Sequence, residues 1–193
     1  MRILAVSDIE EGLLAAETKK IAGVDLIVSC GDLNESYLSY LSTIYGVPLF
    51  FVRGNHDQEL TSDGPVGENL HNRFLSYRKL RFLGFEGSID YTRHAVQYTE
   101  AEMGWMVKLA CLKKVFHGSP DIVVTHAPPR GIYEATDRCH TGFQSFNYLI
   151  RKLRPKYFLH GHIHLNYQRN LPRISNINDT MVINVYGHYV LDV

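Results

Sequence analysis

Neither sign of charge dominates this 193-residue chain: 20 Lys and Arg stand against 20 Asp and Glu, for a formal net charge of zero. That balance excludes binding to nucleic acid or an anionic membrane through bulk charge, while leaving room for local basic patches. No run of about 18 apolar residues is present, and the stretch over 1–8 is too short and too soon interrupted for a signal peptide. The chain therefore reads as soluble and cytoplasmic, with no membrane partner. Cysteine is scarce: Cys30, Cys111 and Cys139 are odd in number and share no Cys-x-x-Cys spacing, which argues against a disulfide framework or a structural zinc knot. They read as small apolar fillers in a reducing compartment. One core is enough for this length, so a single domain over 1–193 is expected.

What is present in the first half is an alternation of short apolar strands (2–6, 25–29, 48–52) with helical patterns (10–21, 35–45). Such spacing implies right-handed crossovers and neighbouring parallel strands, whose C-terminal ends share the sheet edge where open α/β sheets bind ligands. Three polar clusters follow these strands: Ser7-Asp8-Ile9-Glu10, Gly31-Asp32-Leu33-Asn34 and Gly54-Asn55-His56-Asp57. Carboxylates gathered at one edge repel, and a cation relieves them. Asp8 and Glu10 are two apart, so an extended backbone points them the same way. Asn55 offers a neutral oxygen donor, and His56 a proton or a positive charge.

Residues 58–87 are the least readable: a turn at Ser62-Asp63-Gly64-Pro65, a basic scatter of Arg73, Arg78, Lys79 and Arg81 that reads as a solvated face, and a strand over 81–85. Thr99-Glu100-Ala101-Glu102 is a capping-box pattern that starts a helix reaching about Phe116, with Met103, Met106, Val107 and Ala110 at core spacing.

The second half repeats the arrangement. A strand over 121–125 delivers His126, after which Pro128 and Pro129 hold the chain extended. A loop over 130–141 carries Arg130, Tyr133, Asp137, Arg138 and His140; Arg130, Arg138 and His140 are the candidates for contact with a bound anion. Phe143, Phe146, Leu149, Ile150 and Leu153 mark a helix stopped by Pro155, and a strand over 156–159 leads to His160-Gly161-His162-Ile163-His164. Gly161 allows close backbone approach, and His162 and His164 can reach different ions a few ångströms apart. His160 reads as structural, and His71, His94, His117 and His188 show no partner pattern. The tail, with strands over 181–185 and 188–193 around Tyr186-Gly187, reads as a β-hairpin.

Asp8-Ile9-Glu10, Gly31-Asp32, Gly54-Asn55-His56-Asp57, Thr125-His126-Ala127-Pro128-Pro129 and Gly161-His162-Ile163-His164 together resemble, in order, the five-block signature of the calcineurin-like metallophosphoesterases. The stretch Asp137-Arg138-Cys139-His140-Thr141-Gly142-Phe143 is similar to the small metallophosphoesterase-domain subgroup. The arginine that protein Ser/Thr phosphatases place after the Gly-Asp block is missing from Leu33-Asn34-Glu35-Ser36. The resemblance implies a four-layer αββα sandwich, an α/β (α+β) fold of two mixed sheets flanked by helices, with two divalent metals at the strand ends. Asp8, the position of Glu10, Asp32 and His164 would hold one; Asp32, Asn55, His126 and His162 the other. It further implies that a hydroxide activated by both metals attacks phosphorus in line, with His56 as the general acid. Asp57 either orients and charges His56 or caps a turn.

Glu10 stands where the family pattern has histidine. A carboxylate there is a harder donor than imidazole and favours Mn²⁺ or Fe, with Mg²⁺, Zn²⁺ and Ni²⁺ open. It also adds a negative charge, from which slower turnover or a higher pH optimum follows. Alternatively Glu10 swings away and the first metal is weak or absent. The expected activity is hydrolysis of a phosphodiester or a small phosphate ester, with phosphomonoesterase as the nearest alternative. No long basic groove suggests a nucleic-acid polymer. A binding or scaffold protein of the same fold is the competing class; it usually forfeits the histidine of the Gly-Asn-His-Asp block, which this chain retains as His56. Oligomeric state is not readable, because one core accounts for the apolar positions.

Overall fold

A computed structural model of the chain describes residues 1–12, 14, 21–57, 67–92, 96–132, 139–165 and 172–193. The described elements run β1 (Arg2–Ser7), β2 (Leu26–Ser29), α1 (Glu35–Tyr45), β3 (Leu49–Phe51), β4 (Glu68–Asn69), β5 (Phe74–Tyr77), β6 (Leu80–Phe85), β7 (Ser88–Ile89) and β8 (Gln97–Tyr98). They continue with α2 (Glu100–His117), β9 (Ile122–Thr125), α3 (Gln144–Leu153), β10 (Tyr157–His160), β11 (Ile174–Ile177), β12 (Thr180–Asn184) and β13 (Gly187–Asp192). Most of the helix expected over 10–21 and the whole turn at 62–65 lie outside the described residues.

Alternation along the strands builds four layers. In β1, Ile3 and Ala5 point into a core shared with Phe82, Ile122, Val124 and Leu159, while Leu4 and Val6 point outward onto Leu38 and Leu41 of α1. The first sheet has the order β13-β1-β2-β3-β4 and the second β11-β12-β10-β9-β6-β5; both are mixed. The outer face of the second sheet, with Leu83, Val123 and Phe158, buries Met103, Val107 and Ala110 of α2 and Phe146, Leu149 and Ile150 of α3. Each side chain of this size leaves water for about 1.5–3 kcal/mol, so period-two strands between period-3.6 helices fix the layering. The fold is the αββα sandwich of two mixed sheets expected above.

Helix ends are set locally. Asn34 caps α1 by accepting from Ser36 N at 2.8 Å, and Gly46 ends it in the left-handed region. Thr99 and Glu102 form the expected capping box on α2. Phe143 gives α3 no side-chain cap; instead the Glu100 carboxylate accepts from Gln144 N at 2.9 Å and Ser145 N at 2.7 Å, tying α2 to α3. The basic scatter is a paired surface: Arg73 with Glu68, Arg78 with Asp25, Arg81 with Asp121. Arg78 and Lys79 form the turn of the β5–β6 hairpin.

The tail corrects the sequence reading. β12 pairs with β10 and β11 in the second sheet, whereas β13 crosses over to pair antiparallel with β1 in the first. Val185-Tyr186-Gly187 is therefore a bridge between sheets, and the hairpin is β11–β12, turning at Asn178 in the left-handed region. Two apolar strands around a glycine carry the same pattern in either arrangement. Among the described residues no helix is long and apolar enough to cross a membrane.

Candidate metal centre

Five strands deliver the candidate residues to one end of the sandwich. Asp8 follows β1, Asp32 follows β2, Asn55 and His56 follow β3, His126 follows β9 and His162 follows β10. β1, β2 and β3 run parallel in one sheet, β9 and β10 parallel in the other, so these ends are adjacent by topology.

The backbone turns sharply where the carboxylates project. Asp8, Asp32 and His162 all have positive φ, at 65°, 56° and 67°. Non-glycine residues avoid this region, and its recurrence at three candidate ligands concentrates strain in the site. At Asp8 the turn is closed by Ile9 N donating to Ser7 O at 2.7 Å. It breaks the alternation that would align Glu10 with Asp8. Glu10 is accordingly exposed and is not among the described carboxylates and imidazoles that gather. Its neighbour Glu11 instead pairs with His188 Nδ1 at 2.8 Å.

Donor atoms converge around His126, which is fully buried. Its Nε2 lies 2.9 Å from Asn55 Oδ1, 3.1 Å from His162 Nδ1 and 3.3 Å from Asp32 Oδ2. Ligands around one ion with bonds of ~2.1 Å stand roughly 3.0–3.4 Å apart, so this spacing fits a shared cation. Main-chain carbonyls set which ring nitrogens face inward. His126 Nδ1 meets Cys30 O at 2.8 Å and His162 Nε2 meets Cys139 O at 2.7 Å. A carbonyl can only accept, so each imidazole carries its N–H outward and turns the other nitrogen toward the centre. Asn55 is fixed likewise: Nδ2 donates to Tyr91 OH at 3.1 Å, which turns Oδ1 inward.

Asp8, Asp32 and His126 each bring a ligand atom within 4.8 Å of the others. The Asp8 side chain is fully buried, accepts from His162 N at 3.1 Å through both oxygens, and has His164 Nε2 3.7 Å away. Charge is shared accordingly. Burial opposes the Asp32 carboxylate, yet His126, and then the main-chain N–H of His56, hold it well below the usual range. Burial also opposes a charge on His126, but Asp32 and then Asp8 push it up to about 9. Burial, and then the neighbouring His126, push His162 down. The buried carboxylates thus favour positive charge at the centre.

His56 is exposed, with its main-chain N–H donating to Asp32 Oδ1 at 2.8 Å. Asp57 caps the turn that carries His56. Its Oδ2 accepts from Gly54 N at 2.7 Å and from Asp32 N at 3.0 Å, which also ties the second block to the third. Burial raises its pKa, offset in part by the Gly54 N–H. His140 comes close, its ring centroid 5.4 Å from that of His162. Arg130 is exposed, its main chain held by Phe143 O and Asn147 Nδ2. Arg138, Tyr133 and Asp137 lie outside the described residues, as does nearly all of the loop over 58–67.

Sequence reasoning missed Tyr91 and the two carbonyls. Carbonyls leave no trace in a sequence, and Tyr91 sits in a segment without periodicity. Gly161 was legible: a Cβ there would run into Ser7 Oγ and lie 2.6 Å from Asp8 Oδ2, so the His162 backbone can reach Asp8 only without one.

Carboxylates, an amide oxygen and imidazoles meeting at the strand ends of a double-sheet sandwich define a metal-ligating class of α/β protein. The chain belongs to the calcineurin-like phosphoesterase family, whose model matches residues 1–166. An uncharacterized protein of Haemophilus influenzae is 28% identical over 169 residues, covering 74% of this chain and 75% of its own length. Of solved structures, TT1561 of Thermus thermophilus superposes with a TM-score of 0.64 at 16% identity, covering 96% of this chain and 89% of that one. A Vps29 single mutant from Entamoeba histolytica reaches 0.51 at 11% identity, covering 100% and 86%. At these identities the two structures establish a likeness of fold.

Proposed function

We propose that this chain is a metal-dependent phosphoesterase acting on phosphodiesters or small phosphate esters. The convergence of Asn55 Oδ1, Asp32 Oδ2 and His162 Nδ1 on His126 Nε2, in a pocket that favours positive charge, carries the reading. These four residues would hold one divalent cation, and Asp8, Asp32 and His164 a second, with Asp32 shared. A mixed oxygen and nitrogen donor set suits Mn²⁺ or Fe. Divalent cations bound there supply polarisation of phosphoryl oxygens and acidify water.

The chain's own residues do the rest. Asp32 donates its main-chain N–H to the Asp57 carboxylate, and its own carboxylate accepts from the main-chain N–H of His56, which orients it. His56 stands at the exposed side of Asp32, where its ring can protonate a leaving oxygen. His140, whose ring lies beside that of His162, would meet a substrate oxygen.

Metal content of protein purified without chelator, with hydrolysis of bis-p-nitrophenyl phosphate and p-nitrophenyl phosphate in Mn²⁺, tests the reading. Diester cleavage is expected, lost by roughly 10²–10⁴-fold in His56→Ala with metal retained. Metal-loaded protein that cleaves neither ester overturns it. Exposed Glu10 favours one variation, a weakly held cation on the Asp8 side; about one metal per chain together with catalysis would establish it.

A further inference from the structure

The crossover from the second sheet to the first passes beside the strand ends that carry the candidate ligands. β12 runs parallel to β10 with Asn184 opposite His160, so the chain leaves β12 next to the turn that holds His162 and His164. It enters β13 with Gly187 opposite Ser7, the residue before Asp8. The segment 184–188 therefore borders both flanks of the Asp8 side of the centre.

On one flank the crossover grips the turn after β10. Fully buried Asn184 donates from Nδ2 to Ile163 O at 2.7 Å and accepts from Tyr186 N at 3.0 Å, so one amide ties the residue between the two histidines to the crossover. The buried Tyr186 ring then lies against the His164 imidazole, centroids 4.7 Å apart and planes 33° from parallel. On the other flank, His188 Nδ1 meets the carboxylate of Glu11, three residues past Asp8, at 2.8 Å. Arg173 holds the crossover itself, donating to His188 O and, at 3.1 Å, to Tyr186 O. His126 and His162 are buried and fixed by carbonyls, whereas the His164 side chain is 32% exposed. A partly exposed imidazole keeps rotational freedom, and a ring packed on its face removes it.

We infer that the crossover supports the Asp8-side cation: Tyr186 is a positioning residue that presents His164, and the Glu11–His188 pair anchors the turn of Asp8. The inference rests on the proposed two-ion site and adds the residues that set affinity on one side of it. Neither Tyr186 nor Glu11 touches the His126 side, so the two ions should respond differently to their loss.

Titration of Mn²⁺ into the metal-free full chain, with free Mn²⁺ counted by electron paramagnetic resonance, is the test. The parent chain should take up two ions, and His164→Ala marks which of them lies on the Asp8 side. Tyr186→Ala should weaken that same ion by roughly 10–100-fold and leave the other within about threefold, as loss of a ligand's support predicts. Tyr186→Phe keeps the ring and should restore the parent affinity, while Glu11→Ala should weaken the Asp8-side ion. Tyr186→Leu fills the space without a flat face and should behave as Tyr186→Ala, which keeps the test intact if far-ultraviolet circular dichroism shows the alanine variant misfolded. Both ions weakened alike, or both held at the parent affinity in folded Tyr186→Leu, would overturn the inference. A parent chain that binds a single ion would overturn it and leave the proposed function standing; one that binds none would overturn both.

Discussion

His126 Nε2 and His162 Nδ1 face each other at 3.1 Å, each ring held from behind by a main-chain carbonyl. Two imidazoles so placed share one proton or one cation. His126→Ala and His162→Ala should each weaken divalent-metal binding by more than about a hundredfold, since a ligand and not its support is removed. Binding should also weaken as pH falls, because an imidazole ligates a cation only in its unprotonated form. Calorimetric titration of Mn²⁺ at several pH values measures both; unchanged affinity in either variant would exclude that histidine from the site.

Glu10 yields the opposite expectation. The left-handed turn at Asp8 directs the chain away and leaves Glu10 exposed. Glu10→Gln should leave metal stoichiometry and hydrolysis within about twofold of the parent chain, as for a surface charge. Loss of one metal per chain in Glu10→Gln would show that the carboxylate returns on loading.

The layering was legible because the strands alternate cleanly: Ile3 and Ala5 inward, Leu4 and Val6 outward. Thr99 and Glu102 announced α2 through a local pattern that tertiary contacts did not override. The candidate ligands were legible because they follow apolar strands directly, and parallel topology gathers strand ends. What failed depended on backbone direction. Positive φ at Asp8 cancelled the parity argument for Glu10, and the crossing of β13 to the other sheet looks, in sequence, like a hairpin. The capping bonds of Asp57 were not legible, because they depend on where the Gly54 and Asp32 N–H groups point.

Asp57 therefore makes a prediction of its own. Asp57→Ala leaves two main-chain N–H groups without their carboxylate acceptor and should cost about 1–3 kcal/mol of stability. It should also lower metal affinity through Asp32. Asp57→Asn keeps an acceptor oxygen and should recover part of both losses, with the shape of the pH–rate profile unchanged. A shifted profile in Asp57→Asn would mean that Asp57 acts on the charge of His56.

A second buried network braces the same block. Arg53 makes two bonds of 2.8 Å to Glu86, Tyr98 OH donates to Glu86 at 2.7 Å, and Glu86 N donates to His71 Nδ1 at 3.1 Å. Burial lowers the His71 pKa, and the Nδ1 that accepts must be unprotonated. With the folded value depressed, the unfolded chain takes up the proton first. The stability His71 contributes is complete above about pH 6.5 and is lost as pH falls from there toward the folded value. His71→Asn offers an oxygen that does not titrate in this range and should flatten that limb in metal-free protein. Chemical denaturation across pH 5–8 is the measurement, and parallel curves for the two chains would count against it.

Gly161 admits a sharper test, because its missing side chain lets the ends of β10 and β1 approach at the site. Its N–H donates to His126 O at 3.0 Å, and an added Cβ would collide with Ser7 Oγ and crowd Asp8. Gly161→Ala should destabilise by about 1–3 kcal/mol and weaken metal binding, as overpacking forces β1 and β10 apart. Ser7→Gly alone loses the hydroxyl bond to Gly31 O at 3.2 Å and should cost less. If the Ser7 side chain is the obstacle, the double variant should be more stable than the sum of the single losses, a coupling of about 0.5–3 kcal/mol. Additive losses would place the strain on Asp8, and metal affinity would then stay low in the double variant.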